Sequence, residues 1–144
     1  MYQYTIDVDH GLLVGLFSGA TNSEDDYQRY VDSILEAAEK KLTVKGGIAI
    51  LVVERGNPIP NAAWRKRIAD ASGDIGTKDV LFILCSGDPL MRGVATAINW
   101  IRPPKYELKV VSSVPDLVEV VRQRRPTAAP RVDEIIHDLQ LRGG

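Results

Sequence analysis

The sequence predicts an α/β fold: a mixed sheet, mostly parallel in its later strands, with helices packed against it. Three observations point there. Two apolar runs, IAILVV at Ile48 to Val53 and VLFILC at Val80 to Cys85, lack alternation, as strands buried on both faces do. Segments of helical period separate these runs from their neighbours. Near the start, an alternating stretch broken by His10-Gly11 reads as a β-hairpin.

In chain order, Tyr2, Tyr4, Ile6 and Val8 alternate with polar residues, and LLVGLF at Leu12 to Phe17 forms the second arm of the hairpin. Tyr27, Tyr30, Val31, Ile34, Leu35, Ala38 and Leu42 then fall at spacings of three and four, so a helix runs from about Ser23 to Leu42. Ser23 is its N-cap, Glu24, Asp25 and Asp26 sit at the positive end of the dipole, and Lys40 and Lys41 at the other. Lys45-Gly46-Gly47 turns the chain into the strand Ile48 to Val53. Pro58 and Pro60 lack the donors a ladder needs, and Asn61 caps a second helix through Ser72, closed by Gly73-Asp74-Ile75-Gly76.

After the strand Val80 to Cys85, Asp88 as N-cap and Pro89 at the first helical position open a third helix with Met91, Val94, Ile98 and Ile101 as its buried stripe. Arg102-Pro103-Pro104 ends it, and Tyr106, Leu108 and Val110 alternate as a half-buried peripheral strand. Ser113 with Asp116 resembles a capping box for a helix through Leu117, Val120 and Val121. The order is β-β-α-β-α-β-α-β-α over residues 1–125. Residues 126–131, beginning Pro126-Thr127-Ala128-Ala129-Pro130, read as a linker, and residues 132–142 as a short amphipathic helix carrying Val132, Ile135, Ile136 and Leu139. A helix this short is marginal alone, so it docks on its own domain, on a second copy as a homodimer, or on another protein.

The chain has 144 residues, 44% apolar and 26% charged, with 18 basic against 19 acidic side chains, and this fits a single ordinary soluble domain. At this length roughly two-thirds of the unfolded surface is buried without help from disulfides or a structural metal. A net charge of −1 excludes the global basic field of a non-specific nucleic-acid binder. The opening residues lack the charged and apolar regions of an export signal, and no apolar run approaches the ~20 residues that span a bilayer, so a cytoplasmic location without a transmembrane segment is expected. The lone Cys85 ends an apolar run and reads as a buried structural thiol.

The element order, chain length and hairpin position resemble the STAS domain, the sulfate-transporter and anti-sigma-factor-antagonist family, and its SpoIIAA-like members in particular. The resemblance covers Tyr2 to Arg125, and VLFILCSGDPLMRGVATAINWIRPP at Val80 to Pro104 is similar to the strand-to-helix segment of uncharacterised bacterial STAS-like proteins. It implies a non-catalytic module that regulates or scaffolds by binding another signalling protein. In family members that antagonise anti-sigma factors, a serine in an Asp-x-Ser sequence at the start of the helix after the central strand is phosphorylated. Here that stretch reads VVERGNPIPNAAWRKR, with no Ser or Thr between Val52 and Arg67, and Ser86 lies one βα unit too late. The partner surface implied by the resemblance centres on Asn61, Trp64 and Arg65 beside the Gly56 to Pro60 loop. Trp64 reads either as an interface anchor or as core, since it shares a helical face with Ile68 and Ala71.

Other clusters read as structural. Asp7-Val8-Asp9-His10 places Asp7 and Asp9 on the solvent face of the hairpin, and His137 has no ligand-type partner at i+4, so no metal is expected. Ser86-Gly87 lacks the G-x-S-x-G elbow, and no Walker or G-x-G-x-x-G sequence is present, so neither catalysis nor a cofactor is expected. Arg65-Lys66-Arg67 and Arg122, Arg124 and Arg125 are basic clusters on helices with apolar opposite faces, open to acidic protein surfaces or anionic headgroups. From another class, a small apolar ligand or lipid carrier is suggested by the small residues Gly93, Ala95 and Ala97 on one helix.

Overall fold

The structure, a computed structural model, describes residues 1–19, 22–40, 46–73, 80–101 and 106–143. Its elements are β1 (Tyr2–Asp7), β2 (Leu12–Phe17), α1 (Glu24–Glu39), β3 (Ile48–Val53), α2 (Ala62–Gly73), β4 (Leu81–Ser86), α3 (Pro89–Ile101), β5 (Glu107–Val111), α4 (Val114–Arg124), a 3-10 turn (Pro126–Ala128) and α5 (Ala129–Gly143). Leu42, Lys41 and Lys45, the expected Asp74 to Gly76 closure and the Arg102 to Pro104 stop lie outside the described residues, as do the side chains of Ile98 and Ile101.

The sheet runs β1-β2-β3-β4-β5, with β1 antiparallel to β2 and every later pair parallel. Each parallel connection moves one strand in the same direction, so right-handed crossovers place α1, α2 and α3 on a single face. Side-chain alternation along the strands separates two cores accordingly. Phe17, Leu51, Val53 and Leu84 pack with Tyr27, Tyr30 and Ile34 of α1, Trp64 and Ile68 of α2, and Met91 of α3. Leu12, Val14, Leu16, Ile48, Ile50, Ile83 and Cys85 face the other way, onto Leu117 and Val121 of α4 and Val132, Ile135, Ile136 and Leu139 of α5. β2 and β3 are buried along their whole length, which accounts for their unbroken apolar sequences.

Local signals set the helix starts. Ser23 and Asp26 form a reciprocal capping box on α1. The Asn61 carboxamide oxygen accepts from the Trp64 amide at 3.0 Å, and Asp88 accepts from the Leu90 amide at 2.9 Å. Ser113 accepts from the Asp116 amide at 3.3 Å to cap α4.

The segment 126–131 differs from the expected linker. Pro126–Ala128 forms a 3-10 turn that continues directly into α5, and both Ala128 and Ala129 are buried. Prolines fit a first helical turn, where no amide donor is needed, and the alanines are small enough to pass beneath the helix pair. The apolar face of α5 is therefore used on the chain's own sheet. Arg125 fastens this junction by donating from its two terminal nitrogens to the carbonyls of His10 and Gly46. β4 and β5 each lie one residue later than the apolar pattern suggests, because the ladder pairs Leu81 with Glu107 and Cys85 with Val111.

Candidate functional site

At the carboxyl ends of the parallel strands, the usual place for ligands and partners in open α/β sheets, two loops are held rigidly. The β3–α2 loop is tied down by the Asn57 carboxamide, which donates to Glu54 O at 2.7 Å and Phe17 O at 3.4 Å. Gly56 takes φ +87°, a conformation that disfavours any side chain there. Arg55 donates to Gly87 O at 2.9 Å and Arg92 donates to Ser86 O at 2.8 Å, so each guanidinium lies against the β4–α3 loop. Arg65 closes the other side by donating to Pro60 O at 2.7 Å.

The three residues expected at the partner surface have separate roles in this frame. Asn61 is exposed, but its side chain is the α2 cap. Arg65 is half-buried and holds the loop. Trp64 is only 7% exposed, packed against Tyr27 with ring centroids 5.7 Å apart and covered by the Arg67 guanidinium 4.2 Å from its ring. The core alternative for Trp64 holds, and little of the indole is left for a partner. The exposed groups are Arg55, Lys66 and Arg67, and among the described residues none forms an ion pair with a carboxylate. Sequence reading passed over Arg55, which lacks a basic neighbour in the chain.

The second basic cluster is internally matched. Arg122 pairs with Glu119, Arg124 pairs with Glu107, and Arg125 makes the two carbonyl contacts described above.

Asp7 is not on a solvent face, because α5 covers that side of β1. Its side chain is 10% exposed and accepts from Arg131 at 2.8 Å and from the His10 amide at 3.0 Å, with His10 Nδ1 also 3.0 Å away. Burial pushes its carboxyl pKa up, but the Arg131 and His10 contacts outweigh burial and hold it below the ordinary value of 3.8. A depressed carboxylate stabilises the fold fully above its unfolded value and loses that contribution as pH falls through the folded value. The Asp7→Asn variant is therefore expected to be about 1 kcal/mol less stable at pH 7, discounted for the solvent screening that a partly exposed Arg131 experiences. Urea unfolding at pH 7 and at pH 3 should show that deficit shrinking in acid; a pH-independent deficit would count against the ion pair.

Among the described residues, no group of three or more His, Cys, Asp or Glu is placed to hold a metal ion. His137 lies exposed on α5. Cys85 is 3% exposed, and its pKa is pushed up to about 11 by burial, then by the negative charge of Asp116. Such a thiol stays protonated near neutrality. Ser86 is 1% exposed and accepts the Asp88 amide at 3.2 Å, as a turn residue does. No helix among the described residues is long and apolar enough to cross a membrane.

The face of the sheet covered by α1, α2 and α3 holds a half-open cavity of about 80 Å³. Its wall is mostly apolar and aromatic, with Phe17, Tyr27, Tyr30, Phe82, Met91 and Tyr106 among its residues, Pro58 and Pro60 of the β3–α2 loop also lining it, and Asn22 and Ser72 as its polar side chains. Of the three small residues on α3, Ala95 reaches this wall, whereas Gly93 and Ala97 are exposed.

The chain matches no protein-family model, no curated protein and no solved structure.

Proposed function

We propose that the chain is a non-catalytic regulatory or scaffolding module, of the kind its resemblance to STAS domains implies, that works in the cytoplasm by binding another signalling protein. The supporting observation is the pinned β3–α2 loop and the start of α2, where Arg55, Lys66 and Arg67 have no carboxylate partner among the described residues and lie beside a second fixed loop. A surface already held by its own hydrogen bonds loses little conformational entropy on docking, and unpaired cations favour an acidic protein partner. The start of α2 reads Ala62-Ala63, so no hydroxyl is offered there for phosphorylation and docking is ungated at that point.

The test is charge reversal at exposed positions, of which Arg55 also makes one contact within the frame, its hydrogen bond to Gly87 O. The double variant Arg55→Glu, Lys66→Glu should melt within a few degrees of the parent yet bind a partner recovered by affinity capture at least about tenfold more weakly, with a reduced salt dependence. Equal recovery by both proteins would remove this surface from the function. Trp64→Ala does not serve as the test, because emptying a buried indole site costs about 3–5 kcal/mol in folding alone.

A further inference from the structure

The cavity beneath α1, α2 and α3 combines two features that point to one class of occupant. Its wall includes five aromatic rings, those of Phe17, Tyr27, Tyr30, Phe82 and Tyr106, with the Met91 thioether among them. Such walls favour a flat ring over a flexible chain, through offset stacking and sulfur contacts. Its polar groups are unequally satisfied. The Tyr27 hydroxyl donates to Pro58 O at 3.4 Å, and the Ser72 hydroxyl donates to Ile68 O at 2.7 Å. Tyr30 is 6% exposed and lines the cavity, yet among the described residues nothing hydrogen-bonds its hydroxyl. Its hydroxyl therefore keeps hydrogen-bonding capacity to spare, and on a cavity wall that capacity is open to a ligand's polar atom.

We propose that this cavity is a binding site for a small planar aromatic molecule carrying one hydrogen-bonding substituent, with the ring among Phe17, Phe82 and Met91 and the substituent paired with the Tyr30 hydroxyl. At about 80 Å³ the cavity is roughly half the size of a closed cavity that takes up benzene, so it holds only part of the ring, and the rest of the molecule lies in the open side. The site does not depend on the partner surface, and either assignment stands if the other fails.

The test uses p-cresol and toluene as probes, followed by backbone amide shifts of the whole chain during titration. p-Cresol should shift residues of the cavity wall and saturate, and toluene should bind the same residues about fivefold more weakly, the loss corresponding to one hydrogen bond of about 1 kcal/mol. Tyr30→Phe should bring the two affinities together while leaving toluene binding unchanged. Ala95→Phe fills the site and should abolish both sets of shifts. The proposal is overturned if p-cresol produces no saturable shifts, if its shifts survive Ala95→Phe, or if the parent protein binds toluene as tightly as p-cresol. Should Ala95→Phe not fold, the Tyr30→Phe comparison decides alone, and an undiminished preference for p-cresol in that variant overturns the proposal.

Discussion

Truncation after Ala128 is expected to yield a chain that does not fold. α5 buries Val132 and Leu139 completely, with Ile135 and Ile136 only 3% and 2% exposed, against a sheet face made by Leu12, Val14, Leu16, Ile48 and Ile50. Emptying one buried Leu or Ile site costs about 2–5 kcal/mol, while a whole domain is stable by about 5–15 kcal/mol. Losing four such side chains together, and exposing the strands beneath them, exceeds what the remaining fold supplies. Circular dichroism and thermal melting of the truncated chain should show no cooperative transition. The single change Leu139→Ala should fold with a deficit of about 2–5 kcal/mol. A truncated form that melts like the parent would mean that α5 is an appendage rather than a layer of the core.

Gly15→Val should be comparably severe, for a different reason. A β-carbon at Gly15 would lie 2.2 Å from the Tyr2 hydroxyl oxygen and 2.8 Å from two carbons of its ring. Tyr2 is 1% exposed and has no route of retreat. Its ring packs on Phe17 and Tyr30 at centroid distances of 4.7 and 5.4 Å, and its hydroxyl is hydrogen-bonded with Ser33 at 2.9 Å. Overpacking a core ordinarily costs about 1–3 kcal/mol, and a clash with a pinned ring in the second strand of the sheet lies at or above the top of that range. Gly15→Ala should therefore destabilise by about 3 kcal/mol, and the larger Gly15→Val should prevent folding. Adding Tyr2→Ala to Gly15→Ala should cost less than the sum of the two single changes, because the clash disappears with the ring. Strict additivity in denaturant unfolding would show that the ring does not lie over Gly15.

The elements read most clearly from sequence are those specified by near neighbours. Ser23, Asn61 and Asp88 each cap a helix through an amide two or three residues away, so a short window contains the whole signal. β3 and β4 are legible because burial on both faces leaves no polar position to interrupt the run. What escaped notice depends on partners far away in the chain. Asp7 looks like a turn carboxylate until Arg131, 124 residues later, is laid across it. Pro126 to Pro130 has the composition of a linker, and only the packing of Ala128 and Ala129 beneath α4 and α5 makes it part of the core.

The candidate surface divides in the same way. Periodicity placed Trp64 on a face shared with Ile68 but could not say whether that face met the sheet or a partner; the contact with Tyr27 decides it. Arg55 had no local distinction, because its significance comes from reaching Gly87 in the next loop. The cavity draws its wall from α1, α2, α3 and four strands, so the only sequence trace of it was Ala95 among small residues on α3.

Both the rigid loop surface and the half-open cavity belong to a fold in which one chain closes both faces of its own sheet. The direct measurement is a nuclear Overhauser spectrum between methyl groups of α5 and β2, recorded on a sample mixing isotope-labelled and unlabelled protein at a concentration where light scattering gives the mass. Contacts between Leu139 and the β2 methyls that appear only within labelled chains are the expected result. The same contacts passing between labelled and unlabelled chains would show α5 exchanged into a second copy, and would contradict this account of the fold.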